Sequence, residues 1–418
     1  MNKRVVIVGG GIAGLNCARL LHQAQVPCLV LEASDGIGGR VRTDWVEGFA
    51  MDRGFQVLQE AYPEVQQALR LDRLQLVELE PGAMVRRAGR WVTMSDPRRR
   101  PTQALRTLWN PIGRLSDRFK LLRLWRDCSR GSVEGLLQAA DDITTEQLLR
   151  DRYRFSGDFV NGFLRPWLAG IFLETQLATS ANYFRFVFRM LASGRIVYPS
   201  GGMGEIPQQL ATGLGPESIR LNAAVQSLRG TDVSLASGET ISADALVLAT
   251  DVSTAAQLTE QRIADVAWRG TRCIYFAAPQ PPRATRMLMI RGAADGPVNH
   301  VFTITQVAPR LAPAGQALVS VSQMGAAATA AYDPTAVRSE LRDWFGPEVD
   351  AWRQLRVYDL PHALPAQPPG SCGALRSTGK LPPGQFVCGD YCETTSLNGA
   401  LKSGRLAAER VLLYLAAT

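Results

Sequence analysis

The sequence is poor in histidine, in paired cysteines and in long hydrophobic runs, and each shortage argues against a class of function. Three histidines in 418 residues argue against a hydrolase with a catalytic histidine and against a metal centre ligated by histidine. The seven cysteines are scattered without a C-x-x-C pair, and the closest two, Cys388 and Cys392, do not make a zinc site on their own. We therefore expect no bound metal.

The length and composition indicate a globular chain with more than one domain. The apolar run near the N-terminus ends at Gly9, which argues against a signal peptide, and no run approaches the length of a membrane span. The expected location is therefore the cytoplasm. The 46% of hydrophobic and 20% of charged residues are typical of a globular protein, and 418 residues exceed the usual size of one core. We expect two interleaved or consecutive domains.

The positive charge is concentrated in one segment. The formal net charge is +8, yet positions 86–130 alone contain thirteen basic residues against the three acids Asp96, Asp117 and Asp127. One interpretation is a solvated arginine-rich face. The other is a surface for peripheral contact with anionic lipids, in which case the protein would be membrane-associated. No nucleic-acid-binding module accompanies this charge, so nucleic acid is not an expected partner.

The N-terminal residues have the pattern of a dinucleotide-binding unit. A β-branched run, Lys3 to Val8, leads directly into the G-x-G-x-x-G turn of Gly9, Gly11 and Gly14; a helical pattern and a second strand follow, and the strand ends on Glu32. The glycines permit a tight turn, close approach to a pyrophosphate and close helix packing. Glu32 is placed to bind a ribose diol, and its charge disfavours the 2′-phosphate of NADP.

Two further segments extend this unit. Gly38-Gly39-Arg40 follows the ribose-binding acid, and its backbone and fixed cation can reach the same pyrophosphate. Near the C-terminus, a short strand leads into Gly389-Asp390 and then into a helix that we predict from about 396 to 415.

These motifs together resemble the flavin-dependent amine oxidase superfamily, which also contains phytoene desaturase-like and protoporphyrinogen oxidase-like flavoproteins. The resemblance covers nearly the whole chain in the same order, with a variable middle. It implies an α/β fold in which a Rossmann-type FAD-binding domain is interleaved with a substrate domain of mixed sheet plus helices. The implied FAD-binding domain comprises 1–60, 200–262 and 370–418, and the substrate domain comprises 61–199, with a helical insertion, and 263–369.

The resemblance also implies the cofactor site. Asp390 would bind a ribityl hydroxyl, the N-terminus of the last helix would point its dipole at the flavin O2 side, and Val225 would contact the adenine through its backbone. FAD would be bound non-covalently, because Cys372 lies too near Gly389 to be the attachment cysteine of some relatives. The predicted cofactor-binding residues are Gly9, Gly11, Ile12, Ala13, Gly14, Glu32, Ala33, Gly38, Gly39, Arg40, Val225, Thr250, Gly389, Asp390, Leu397, Asn398 and Ala400.

The middle of the chain bears on the substrate. We predict that 61–200 is mostly helical with loops, and the aromatic residues between Phe155 and Tyr198 are either core or the wall of an apolar cavity. Ser396 stands where amine oxidases of the superfamily usually have an aromatic residue, and 270–276 lacks their usual lysine. We therefore expect hydride transfer from a hydrophobic, polyene or terpenoid-like substrate to flavin N5, with oxygen or a quinone as acceptor.

Two other functions remain open from the sequence alone. One is amine oxidation by the same cofactor. The other, from a different class, is a non-catalytic protein that binds lipidated or prenylated partners, as Rab escort and GDP-dissociation inhibitor proteins of this fold do without FAD. The residues single out no catalytic side chain.

Overall fold

The computed structural model describes residues 4–96, 98–100, 110–261, 263, 266–292, 295–372 and 381–418. Parts of the basic segment, position 97 and positions 101–109, lie outside the described residues. The same holds for Lys3 and for the predicted domain limit at 262.

Within the described part of the chain, the strands form two large sheets and three small ones. In chain order, the strands are β1 Val5–Val8, β2 Cys28–Leu31, β3 Thr43–Val46, β4 Phe49–Asp52, β5 Leu58–Gln59, β6 Leu76–Glu78, β7 Gly82–Arg87, β8 Arg90–Ser95, β9 Ile196–Pro199, β10 Ile219–Arg220, β11 Val225–Arg229, β12 Asp232–Leu235, β13 Thr240–Ile241, β14 Ala245–Leu248, β15 Trp268–Ala278, β16 Leu288–Arg291, β17 His300–Thr303, β18 Ala317–Met324, β19 Arg353–Pro365 and β20 Gln385–Val387.

The helices cover the sheets and fill the middle of the chain. They are α1 Ile12–Gln23, α2 Pro63–Ala68, α3 Leu115–Cys128, α4 Val133–Leu137, α5 Thr145–Gln147, α6 Gly157–Phe159, α7 Arg165–Phe172, α8 Ala181–Ser193, α9 Glu205–Ala211, α10 Val252–Thr259, α11 Ala326–Thr329, α12 Pro334–Phe345 and α13 Leu397–Ala417. Among the described residues, no helix combines the length and the apolar character that crossing a bilayer requires.

The first large sheet is parallel and has the order β10-β2-β1-β14-β20. Its central strands are continuous apolar runs because both of their faces are buried. Val5 and Ile7 pack with α1 and α13 on one face, whereas Val6 and Val8 pack with the small sheet of β11, β12 and β13 on the other. This layering brings strands from both ends of the chain into one sheet.

The second large sheet is mixed, with the order β19-β15-β18-β17-β16-β7-β8. Its neighbours are antiparallel except for β16 and β7, which are parallel. The hairpin of β7 and β8 lies within the segment that we predicted to be mostly helical, and that part of the prediction is wrong. These strands become part of a sheet only by pairing with β16, about 200 residues later in the chain.

The aromatic residues of the middle segment form a core of their own. Phe159, Phe184 and Phe186 are almost fully buried, and neighbouring rings pack against one another, stacked or tilted, along the series from Tyr153 to Trp167. The helices α3, α7 and α8 contribute to the same core. Core packing, the simpler of the two interpretations, therefore accounts for most of these aromatic side chains.

Candidate functional site

Of the three glycines of the G-x-G-x-x-G turn, one has space for a side chain and two do not. A Cβ atom on Gly9, whose φ is +110°, would lie 2.7 Å from the Ala249 carbonyl oxygen, and a Cβ on Gly14 would lie 2.1 Å from the Gly9 carbonyl oxygen. A Cβ on Gly11 would meet nothing within 4 Å. The protein therefore needs glycine at 9 and 14 for its own packing, whereas Gly11 faces space that a ligand can enter.

The open space lies at the start of α1. Gly11 is the N-cap residue and has no side chain to accept hydrogen bonds from the first turn. The N–H groups of the first turn, which includes Ile12 and Ala13, therefore lack the side-chain partner that usually caps a helix. With the positive end of the helix dipole, they make an anion site suited to a pyrophosphate.

Glu32 follows β2 and lies over the glycine turn. One carboxylate oxygen accepts from the Gly10 N–H at 2.7 Å, and the other accepts from the backbone N–H and the hydroxyl of Ser34 at 2.9 and 2.7 Å. A carboxylate can accept about four hydrogen bonds, so capacity remains for a ribose hydroxyl. The next residue, Ala33, is exposed beside it.

The second glycine loop packs directly on the first. The Gly38 N–H donates to the Gly10 carbonyl at 2.8 Å, and Gly39, with φ +57°, comes so close that its Cβ would lie 3.4 Å from the Gly11 Cα. Both loops therefore border the space beside Gly11. This arrangement agrees with the prediction that they serve one phosphate group.

Arg40 joins the two ends of the chain. Its guanidinium lies 2.7 Å from the Asp390 carboxylate, donates to the Ala363 carbonyl at 2.9 Å and lies 5.8 Å from the centre of the Trp268 ring. Burial lowers the pKa of Arg40, but the Asp390 charge and hydrogen bond raise it above its ordinary value. The Arg40 side chain nevertheless keeps 43% of its area exposed. Arg40 is thus partly exposed where the second glycine loop meets the Asp390 segment.

The segment after Asp390 fixes the start of α13. The Gly389 N–H donates to the Ser403 hydroxyl at 2.7 Å, and the Ser396 hydroxyl accepts from the Gly399 N–H at 3.1 Å. A Cβ on Gly399 would lie only 1.8 Å from the Thr394 carbonyl oxygen. The helix therefore begins in one defined place, next to the residue that pairs with Arg40.

The remaining predicted residues differ in how freely their side chains face a ligand. The Asn398 carboxamide oxygen accepts from the Glu64 N–H at 3.0 Å at the start of α2, and the Thr250 hydroxyl donates to the Asp251 carbonyl at 3.0 Å. Val225 begins β11 and is half-buried, as are Leu397 and Ala400 in the first turn of α13. Asn398 thus has a structural role in addition to the cofactor role that we predicted.

A buried acid that the sequence analysis did not single out holds the glycine segment 201–204 in place. Asp52 accepts from the Thr43 hydroxyl at 2.6 Å, from the Tyr198 hydroxyl at 2.5 Å and from the Met203 N–H at 3.0 Å. Burial raises the pKa of Asp52 to about 6, against these hydrogen bonds. The D-x-G sequence at 52–54, which begins at the last residue of β4, was the available signal.

Comparison with protein families decides the identity. The model of the flavin-containing amine oxidoreductase family matches residues 12–412. The chain belongs to this family. The predictions of the superfamily, of the α/β fold and of an FAD-dependent oxidoreductase are thereby confirmed. The alternative of a lipid-binding protein without flavin loses its basis.

Solved structures share the fold over nearly the whole chain. Cyclohexylamine oxidase from Brevibacterium oxydans IH-35A has a TM-score of 0.72 at 17% identity, and each chain is covered completely. A proposed protoporphyrinogen oxidase from Exiguobacterium sp. 255-15 has a TM-score of 0.71 at 19% identity, with 99% of each chain covered. At these identities, the similarity shows the fold alone.

Curated relatives match over shorter stretches. Polyamine oxidase 2 of Arabidopsis thaliana is 48% identical over 50 residues, which are 12% of this chain and 10% of that protein. L-amino-acid oxidase BmooLAAO-I of Bothrops moojeni is 24% identical over 314 residues, covering 68% of this chain and 56% of that protein. The chain thus spans only about a tenth to about half of the length of these relatives.

The cofactor of this family member is FAD, and the geometry fits it. The open side of Gly11 and the first turn of α1 would receive the pyrophosphate, with Glu32 at the adenosine ribose. Arg40 lies between the glycine loops and the Asp390 segment that precedes α13, and the N-terminus of α13 would face the flavin ring. A bound flavin supplies the redox step by accepting a hydride from a substrate carbon, and the protein binds and orients both reactants.

Strand β15 shows which side chains face this cofactor site. Cys273 and Tyr275 belong to the core that also contains Ile12 and Leu401, whereas Ile274 and Phe276 pack on the opposite face of the sheet. Arg272 also points away from the site, since it donates to the Ala330 carbonyl at 2.9 Å and pairs with Asp359. The only guanidinium in the 270–276 segment therefore does not replace the missing lysine.

Proposed function

We propose that the chain oxidises a hydrophobic, polyene or terpenoid-like substrate by hydride transfer to flavin N5. The observation that carries this proposal is the set of side chains on the cofactor-facing side of β15, β17 and β18. The set includes Thr271, Cys273, Tyr275, His300, Phe302, Ser320 and Ser322, and the apolar Ala277, Leu318 and Met324 share this face. None of these side chains is charged at neutral pH, because burial lowers the pKa of His300 to about 3.

Aromatic rings add to the apolar character of this face. Phe55 follows the D-x-G sequence and lies 5.2 Å from the His300 ring and 5.3 Å from the Phe302 ring, measured between ring centres. Apolar walls with a few placed polar groups are typical of sites for hydrophobic ligands. This surface would select a neutral, extended substrate over a cation.

Ser396 supports the same conclusion. Its hydroxyl caps α13 by accepting from the Gly399 N–H, so this position contributes to the helix start and offers no aromatic ring to an amine. The second candidate is amine oxidation. It is favoured by the family itself.

The test measures reduction of the flavin directly. The protein reconstituted with FAD is mixed anaerobically with a carotenoid-like polyene in detergent micelles or with cyclohexylamine or polyamines, and the blue absorption of the oxidised flavin is followed. We expect bleaching with the polyene only. Fast bleaching with amines and none with polyenes would support amine oxidation and contradict the proposal.

The electron acceptor of the proposed reaction can be tested in the same way. Oxygen or a quinone would reoxidise the flavin, and the ratio of the two reoxidation rates, measured after anaerobic reduction, distinguishes them. The cytoplasmic location, non-covalent attachment of FAD, the domain limits and the peripheral membrane contact of 86–130 stay predictions. Acid precipitation of the protein tests the attachment, because non-covalent FAD leaves the yellow colour in the supernatant.

A further inference from the structure

Helix α3 presents an apolar stripe to solvent. Leu115, Phe119 and Leu122 are 57%, 65% and 50% exposed, and their spacing of four and three residues places them on one face of the helix. We call these three residues the α3 stripe. The other large hydrophobic side chains that the described part of the chain exposes lie singly on separate segments, namely Trp45, Val57, Leu221 and Leu413.

The opposite face of α3 is anchored, so the stripe is not a loosely packed part of the core. Leu124 and Cys128 are fully buried in the aromatic core. Asp117, also fully buried, accepts from the Ser156 N–H at 2.9 Å, from the Ser156 hydroxyl at 2.5 Å and from the Arg114 N–H at 2.7 Å. Folding therefore fixes the helix with its second apolar face outward.

The rim of the stripe is basic. Arg114, Arg123, Arg126 and Arg130 are exposed on or beside the helix. The acid near them, Asp127, is half-buried, accepts from the Tyr153 hydroxyl at 3.0 Å and lies 3.7 Å from Arg123. The outward charge of α3 is therefore positive, which complements an anionic surface and opposes pairing with a second copy of the same helix.

We propose that α3 docks the protein onto the surface of an anionic lipid membrane. The α3 stripe would enter the boundary between headgroups and acyl chains, and the arginines would contact the phosphates, as in interfacial amphipathic helices. The inference extends the proposed function, since a hydrophobic substrate dissolves in membranes. It selects one helix from the basic segment and gives that helix an orientation.

The test measures binding to vesicles and needs no turnover. The FAD-loaded protein is floated with vesicles of phosphatidylcholine alone or mixed with phosphatidylglycerol. The variant L115S/F119S/L122S removes the stripe, and Leu413→Ser is the matched control, because Leu413 is 73% exposed on α13. We expect binding to the mixed vesicles, a loss of at least about tenfold in the triple variant and no change in the control.

The charged rim is tested separately. The variants Arg126→Gln and Arg130→Gln should each weaken binding to the mixed vesicles by about fivefold at low salt, with little effect at high salt. Circular dichroism and the flavin spectrum establish that each variant is folded and loaded. An intact fold with lost binding assigns the effect to the surface.

Three results would overturn the inference. The wild type should bind the mixed vesicles, so its failure to bind either vesicle type contradicts the inference, as does unchanged binding by the triple variant. If instead the wild type is a dimer that the triple variant dissociates, and neither binds vesicles, the stripe is a subunit interface. Vesicle binding by a protein that does not oxidise polyenes would contradict the proposed function and leave the docking intact.

Discussion

Two glycines of the first turn offer a matched pair of substitutions that separates folding from cofactor binding. Gly11→Ala adds a Cβ where the structure has open space, whereas Gly14→Ala adds one 2.1 Å from the Gly9 carbonyl oxygen. Neither glycine has a positive φ, so alanine can adopt both backbone conformations. The two variants therefore differ in what the added methyl group meets.

The two variants should differ in the stability of the FAD-free protein. Gly14→Ala should destabilise the FAD-free protein by about 3 kcal/mol, at the upper end for overpacking, because the partner is backbone and cannot turn aside. For Gly11→Ala, a gain of about 0.4–1 kcal/mol from the unfolded chain offsets a small loss at the N-cap. Its stability should therefore stay within about 0.5 kcal/mol of the wild type.

The effect of Gly11→Ala should appear in cofactor binding. The methyl group occupies the approach to the pyrophosphate and displaces one or two charged hydrogen bonds, each of about 1.5 kcal/mol or more. FAD affinity should fall by about tenfold to a hundredfold. Urea unfolding of the FAD-free proteins and fluorescence titration with FAD measure the two effects. If Gly11→Ala is as destabilising as Gly14→Ala, or binds FAD like the wild type, the assignment of the open side to the cofactor is refuted.

Three other substitutions test the frame of the site. The pKa of Asp52 is raised to about 6 in the folded state from its ordinary 3.8. Its protonation therefore stabilises the fold below about pH 4, and this stabilisation is lost as the pH rises through 6. In Asp52→Asn, the urea midpoint should depend less on pH between about 4 and 6 than it does in the wild type. Arg40→Gln leaves the buried carboxylate of Asp390 without its cation, and we expect FAD affinity to fall about tenfold or more in a fluorescence titration, whereas unchanged affinity would show that the pair is only structural. Gly404→Val places a Cβ 2.2 Å from the Ala13 carbonyl oxygen, so the thermal midpoint should drop sharply, with Ser403→Ala as the milder neighbouring control.

The sequence predicts well the strands and helices that carry the two halves of the proposed cofactor site, because each half is a local unit. The strand, glycine turn, helix and acid from 5 to 32 follow one another without interruption, and so do β20, Gly389-Asp390 and α13. Apolar runs and glycines within about 30 residues carry the physical reasons for these elements. Their boundaries in the structure agree with the predicted ones to within a few residues.

Long-range partners could not be predicted in the same way. The ion pair of Arg40 with Asp390 joins residues 350 positions apart. The sequence around either residue does not indicate the other as its partner. In the β7–β8 hairpin, only the first strand alternates buried residues, at Ala83 and Val85, with more exposed ones, and the arginines of this segment also fit a solvated face. Pairing of β7 with β16 stabilises the hairpin, and this pairing exists only in the complete fold.

The place of β1 in the middle of its sheet has a consequence for synthesis of the chain. On the ribosome, β1 and β2 emerge early, but β14 begins only at Ala245 and β20 at Gln385. At about 5–20 residues per second, the fully apolar β1 waits for tens of seconds with one edge unpaired. The nascent chain should therefore be a client of chaperones during this interval, and FAD should be acquired only after α13 has been synthesised.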